Sequence, residues 1–187
     1  IERFKMGLYD LVKKPGSPNN IRAIWLEEKF YISTLGWAEK KRALDIACAD
    51  GVFAQILARY VGEVDAVDIN LIIRDECQQK NINYIQSDIF KYKPKNNRRY
   101  DLIFCGELCE HLPFGKPEEL MKLILKWLKK DGYLILTVPN FLIKSGGHLR
   151  TYSEKTMLDL VKDFEVIDTA YIPVENPLFH CCVCRKK

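Results

Sequence analysis

The stretch that most restricts the fold runs from Arg42 to Asn70, RALDIACADGVFAQILARYVGEVDAVDIN. Leu44 and Ile46 lie in a short apolar run broken only by Asp45, and the run gives way to Ala47, Cys48, Ala49, Asp50 and Gly51, all small or turn-forming. Val52, Phe53, Ile56, Leu57 and Tyr60 follow at helical spacing, and Val64, Ala66 and Val67 lead up to Asp68. The pattern is strand, tight loop, helix, strand. A second strand ending on a carboxylate, after a small-residue turn, suits a nucleoside. Small residues let backbone amides and a helix N-terminus approach the ligand, and the carboxylate accepts hydrogen bonds from ribose hydroxyls.

Upstream, Phe4, Leu8, Leu11 and Val12 predict an amphipathic helix over 1–14, stopped by Pro15-Gly16. Ser17-Pro18 starts a second, running to Gly36. Downstream, the pattern predicts a helix over 71–80 and a short strand over 83–86. A fourth strand spans 100–106 and a helix 116–130. The fifth strand, 133–138, follows the Asp131-Gly132 turn. A loop over 141–150 leads to a helix over 154–162 capped by Ser153. Strands over 164–172 and 178–184, joined by a turn over 173–177, end the chain. YDLIFCG and YLILTV are unbroken apolar runs of the kind found inside parallel sheets.

Residues 42–70 resemble motif I and the acidic loop of class I S-adenosylmethionine-dependent methyltransferases. That family usually has an acidic residue followed by Gly-x-Gly-x-Gly; here Asp45, Ala47, Ala49 and Gly51 hold those positions. Alanine at two of them makes a positive φ there less expected. A nicotinamide dinucleotide fits less well, because its pyrophosphate loop relies more on glycine. LKKDGYLILTVPN is similar to a further family pattern, and the resemblance covers about residues 41–185. It implies a three-layer, doubly wound α/β fold with a mostly parallel seven-stranded sheet and a last antiparallel strand. Residues 1–40 form an N-terminal helical cap and 41–187 the S-adenosylmethionine-binding domain. The donor is held by Asp45, Ala47, Gly51, Asp68, Ile69, Asp88, Ile89, Gly106 and Glu107. Asp88 and Ile89 take the place where the family contacts adenine; the plainer reading of Asp88 is an Asx turn.

In such a sheet, ligands bind beyond the carboxyl ends of the strands. That rim brings Glu107, Glu110 and His111 near a later histidine, His148. His111, His148 and Glu110 are the expected catalytic groups, the imidazoles serving as general bases. The same four residues also suit a divalent ion such as Mg or Mn. The Glu-x-x-Glu-His pattern resembles both ubiquinone-biosynthesis O-methyltransferases and small-RNA 3′-terminal 2′-O-methyltransferases, and a later His completes a metal site in the latter. Many relatives, however, carry Glu-His after strand four with no metal. His180, Cys181, Cys182 and Cys184 suggest a zinc knuckle at first sight, but adjacent residues of a strand face opposite ways, so a structural role is expected.

No apolar run approaches the roughly 20 residues needed to span a bilayer, and no signal-peptide pattern opens the chain. Seven cysteines with no framework spacing suit a reducing cytoplasm. The net charge of +4 is modest; Lys91, Lys93, Lys95, Arg98 and Arg99 form one basic cluster. The expected activity is methyl transfer to an oxygen or nitrogen of a small molecule. The alternatives are the small-RNA 2′-O-methyltransferase and a non-catalytic binding module that keeps the fold.

Overall fold

The apolar runs that dominate the sequence pattern become the middle of one sheet. In the computed structural model, which describes residues 13–34, 41–142, 147–173 and 178–187, seven strands pair in the order β3-β2-β1-β4-β5-β7-β6. They are β1 (Arg42–Ile46), β2 (Glu63–Asp68), β3 (Ile82–Gln86), β4 (Tyr100–Gly106), β5 (Leu128–Pro139), β6 (Glu165–Ile172) and β7 (Phe179–Arg185). β1 to β5 are parallel, and β7 inserts antiparallel between β5 and β6. This is the expected doubly wound, mostly parallel sheet.

Helices cover both faces. α1 (Pro18–Thr34) and α2 (Val52–Leu57) pack on one, α3 (Lys116–Trp127) and α4 (Glu154–Leu160) on the other. Alternation along β4 shows the division: Leu102 and Phe104 join the α1/α2 core, Ile103 and Cys105 the α3 core. Phe104 fixes α1 to the sheet, meeting Phe30 edge-on at 5.4 Å and Phe53 at 5.3 Å. Ser153 caps α4 through a reciprocal pair of bonds with Thr156.

Several expectations need correction. Residues 71–80 form no helix beyond a 3₁₀ turn, Asp75–Cys77. The adjacent β-branched residues Ile72 and Ile73 disfavour the helix, and the Arg74 amide bonds instead to the Asp50 carbonyl at 3.3 Å. α3 ends at Trp127 and β5 begins at Leu128, so the Asp131-Gly132 turn becomes an irregularity within the β4–β5 pairing. The helix expected over 1–14 falls almost wholly outside the described residues, as does most of the turn over 173–177. Cys181, Cys182 and Cys184 are buried with His180 in β7, in keeping with a structural role.

Candidate active site

The carboxyl ends of β1, β2, β3 and β4 bring the expected donor residues to one rim. Ala47 and Ala49 sit at φ 59° and 48°, left-handed backbone that the sequence reading disfavours for alanine. Tertiary bonds hold them there: the Ala47 amide donates to the Val67 carbonyl at 2.8 Å, and the Ala49 amide to Asp68 Oδ2 at 3.0 Å. Gly51, at φ 91°, opens α2, and a Cβ there would lie 2.7 Å from the Tyr84 hydroxyl. The loop thus needs glycine at its third position and tolerates alanine at the first two.

A cavity of about 200 Å³ lies beside this loop, lined by Ala47, Asp68, Ile69, Asp88 and Ile89 together with Val67, Ser87, Phe90, Leu108 and Leu112. The first five are expected donor residues; of the second five, Leu108 and Leu112 belong to the expected rim cluster, and Val67, Ser87 and Phe90 were not expected at the site. Asp88 Oδ1 accepts from the Phe90 amide at 2.9 Å, so it makes an Asx turn and lines the cavity at once. Asp45, Gly51, Gly106 and Glu107 do not line it. Asp45 is buried beneath the loop, and burial raises its pKa well above the usual carboxylate range, with the nearby Asp68 charge adding to the effect.

Glu107 has φ 54° and turns back to the interior, where its carboxylate accepts from Thr137 Oγ1 at 3.0 Å. Arg22 of α1 approaches it at 2.8 Å, a charge contact whose N–H geometry falls short of a hydrogen bond. Arg22 is only 2 % exposed and lies 4.3 Å from the centre of the Phe179 ring. It was missed in the sequence, although Arg22, Leu26 and Phe30 recur every fourth residue along one buried stripe. A charge in that stripe was the available signal.

The 3₁₀ turn Cys109–His111 carries the remaining groups. Glu110 is fully buried, and neither carboxylate oxygen has a hydrogen-bond partner. Burial, reinforced by the Glu107 charge, raises its pKa to about 8. His111 Nε2 stands 3.6 Å from Glu110, and Nδ1 3.3 Å from the Gly147 carbonyl. Burial lowers the His111 pKa, against the opposing bond to Gly147. The His148 ring meets the His111 ring edge-on at 4.8 Å, and its Nδ1 lies 3.2 Å from the Phe141 carbonyl. Glu110, His111 and His148 therefore converge, each offering an atom within 4.8 Å of the others. Glu107 stands apart from that set, engaged by Arg22 and Thr137. No described helix is long and apolar enough to cross a membrane.

A family model described as a methyltransferase domain matches residues 28–166. The ubiquinone biosynthesis O-methyltransferase of Coxiella burnetii (strain Dugway 5J108-111) is 30% identical over 128 residues, covering 65% of this chain and 51% of that protein. The chain thus spans about half the length of the curated relatives it matches. In structure it is similar to the N-methyltransferase NodS from Bradyrhizobium japonicum WM9 bound to S-adenosyl-L-homocysteine, with TM-score 0.72 and 15% identity over 94% of this chain and 90% of that one. It is also similar to the 1,6-didemethyltoxoflavin-N1-methyltransferase of Burkholderia thailandensis, with TM-score 0.69 and 15% identity over 96% and 87%. Such identities carry the fold alone; the family match carries more. The chain belongs to the class I S-adenosylmethionine-dependent methyltransferases.

Proposed function

We propose that the protein transfers the methyl group of S-adenosylmethionine to an oxygen or nitrogen of a small-molecule acceptor. One observation carries this reading. Leu108 and Leu112 line the cavity beside the β1 loop, and Glu110 and His111 lie between them on the same turn. A donor seated against Asp68 and Asp88 therefore has an imidazole pair beside it. Names of similar proteins support a small acceptor: one acts in ubiquinone biosynthesis, another on 1,6-didemethyltoxoflavin.

In this account the Asp68 carboxylate faces the ribose and the Asp88 segment the adenine. Arg22 Nε, buried without a hydrogen-bond partner while Nη1 faces Glu107, is the group offered to the donor's carboxylate, so α1 helps to complete the donor site. The acceptor lone pair attacks the methyl carbon as the bond to sulfur breaks, leaving a neutral thioether. A hydroxyl acceptor must lose its proton. A lowered pKa keeps His111 neutral near pH 7, ready to take it. The contact at Gly147 assigns the ring proton to Nδ1, which leaves the lone pair on Nε2.

The test is transfer of isotope-labelled methyl from the donor to a panel of phenols, catechols and amines. Labelled O- or N-methyl product supports the reading. Donor binding without any product supports the non-catalytic module instead.

The convergence of Glu110, His111 and His148 supports a second reading of the same site. Two imidazoles and an unpartnered carboxylate are a suitable donor set for a divalent ion. Bound there, such an ion would polarise the acceptor hydroxyl. Dialysis against a chelator, followed by readdition of Mg or Mn, separates the two: activity that survives metal removal leaves His111 as the base.

A further inference from the structure

Away from the rim, a groove of about 530 Å³ lies between the segment after β3 and the C-terminal end of α3. Cavities of roughly 300–1,000 Å³ are the usual size for small ligands. Its walls carry Lys93, Arg98, Arg99 and Lys126, all exposed, and among the described residues no acidic side chain lines it.

Several basic groups elsewhere meet carboxylates, as in Arg59–Glu27, Lys129–Asp101 and Arg185–Glu165. Among the described residues, only Arg98 of the four groove cations lies within ion-pair distance of a carboxylate, Glu63 at 3.7 Å. That exposed pair is weak. A second groove, about 520 Å³ between α3 and α4, makes the contrast. Glu118, Asp159 and Asp163 line it beside Lys122, Arg150 and Lys162, so it selects neither sign.

The floor is apolar and fixed. Tyr92 and Trp127 are buried and meet edge-on at 5.6 Å, and the Tyr92 hydroxyl is tied to Asp65 at 3.3 Å. The arginines are presented by a defined turn, in which Asn96 and Asn97 hold φ 55° and 51°. Asparagine tolerates that conformation better than most residues. Ammonium and guanidinium groups above an apolar floor suit an anion with a flat body, the phosphate meeting the cations.

We propose that this groove binds a phosphorylated small molecule with a planar ring, of which a mononucleotide is the type. Phe90 lines both this groove and the donor cavity. The test must therefore keep a nucleotide out of the donor site. Calorimetric titration of uridine 5′-monophosphate into protein saturated with S-adenosyl-L-homocysteine does so. The expected result is one saturable site, at least tenfold tighter than for inorganic phosphate. Both Arg99→Glu/Lys126→Glu and, separately, Lys93→Glu should weaken it at least tenfold, with the melting temperature unchanged. The proposal is overturned by absent heat, by equal affinity for phosphate, or by full affinity in folded charge-reversed protein. It is also overturned if a single-stranded oligonucleotide binds far more tightly than the mononucleotide with a steep salt dependence, which would make the groove a nucleic-acid track.

Discussion

Arg22 on α1 and Glu107 at the end of β4 meet at 2.8 Å, joining α1 to the carboxyl-end rim of the sheet. Removing the arginine leaves a carboxylate turned into the interior beside Thr137. Breaking a buried pair costs about 3–5 kcal/mol, and the low end, about 3, applies because Glu107 is 23% exposed. Arg22→Met should lower stability by that amount in urea unfolding. It should also weaken S-adenosyl-L-homocysteine binding at least tenfold by calorimetry. Glu107→Gln in the Arg22→Met background should recover part of the stability but none of the binding.

Glu110 makes stability depend on pH. Its folded pKa is raised from 4.5 to about 8, so folded protein keeps a proton that the unfolded chain releases between those values. The stabilisation is complete below 4.5 and is lost as pH rises toward 8. His111 acts in the opposite sense: its lowered pKa costs stability as pH falls below 6.5. Glu110→Gln should stabilise the protein by about 1–3 kcal/mol at about pH 9 and change it by less than about 1 kcal/mol at about pH 5. Thermal unfolding across pH measures both.

The loop after β1 predicts contrasting substitutions. Ala47→Gly and Ala49→Gly relieve left-handed backbone worth roughly 1–2 kcal/mol but add unfolded-state entropy, for a net gain of up to about 1 kcal/mol each. Gly51→Ala should cost more than about 2 kcal/mol, since its Cβ would press on Tyr84 at φ 91°. Chemical denaturation checks all three.

Asp68 binds the loop as well as lining the cavity beside it. Its two oxygens accept from the amides of Ala49 at 3.0 Å and Asn70 at 2.8 Å. Asp68→Ala should cost about 1 kcal/mol of stability. It should also raise the dissociation constant for S-adenosyl-L-homocysteine at least tenfold. Asp68→Asn, which keeps one acceptor oxygen, should fall between.

Much of this architecture is legible in the chain because its patterns are local. Arg42 to Asp68 spells strand, turn, helix and strand within one stretch, and YDLIFCG has the continuous apolar character of a strand covered on both faces. The rim residues follow from where those strands end. What escapes depends on tertiary context. Residues 71–80 have apolar spacing that permits a helix, yet the Arg74 amide finds a better partner in Asp50. Ala47 and Ala49 look unsuited to left-handed backbone until bonds from Val67 and Asp68 hold them there. Glu107 and Glu110 are chemically alike in the sequence; only the positive φ at Glu107 separates them, turning one toward Arg22 while the other remains near the histidines.

In the proposed reaction His111 serves the acceptor and not the donor. The most direct test of this measures methyl transfer and S-adenosylmethionine binding together in His111→Ala. Loss of a general base predicts turnover about 10²–10⁴-fold lower. The donor dissociation constant should stay within about threefold, since His111 does not line the cavity in which the proposed reaction seats the donor. Unchanged turnover, or a loss of donor affinity that accounts for the whole loss of rate, contradicts the account.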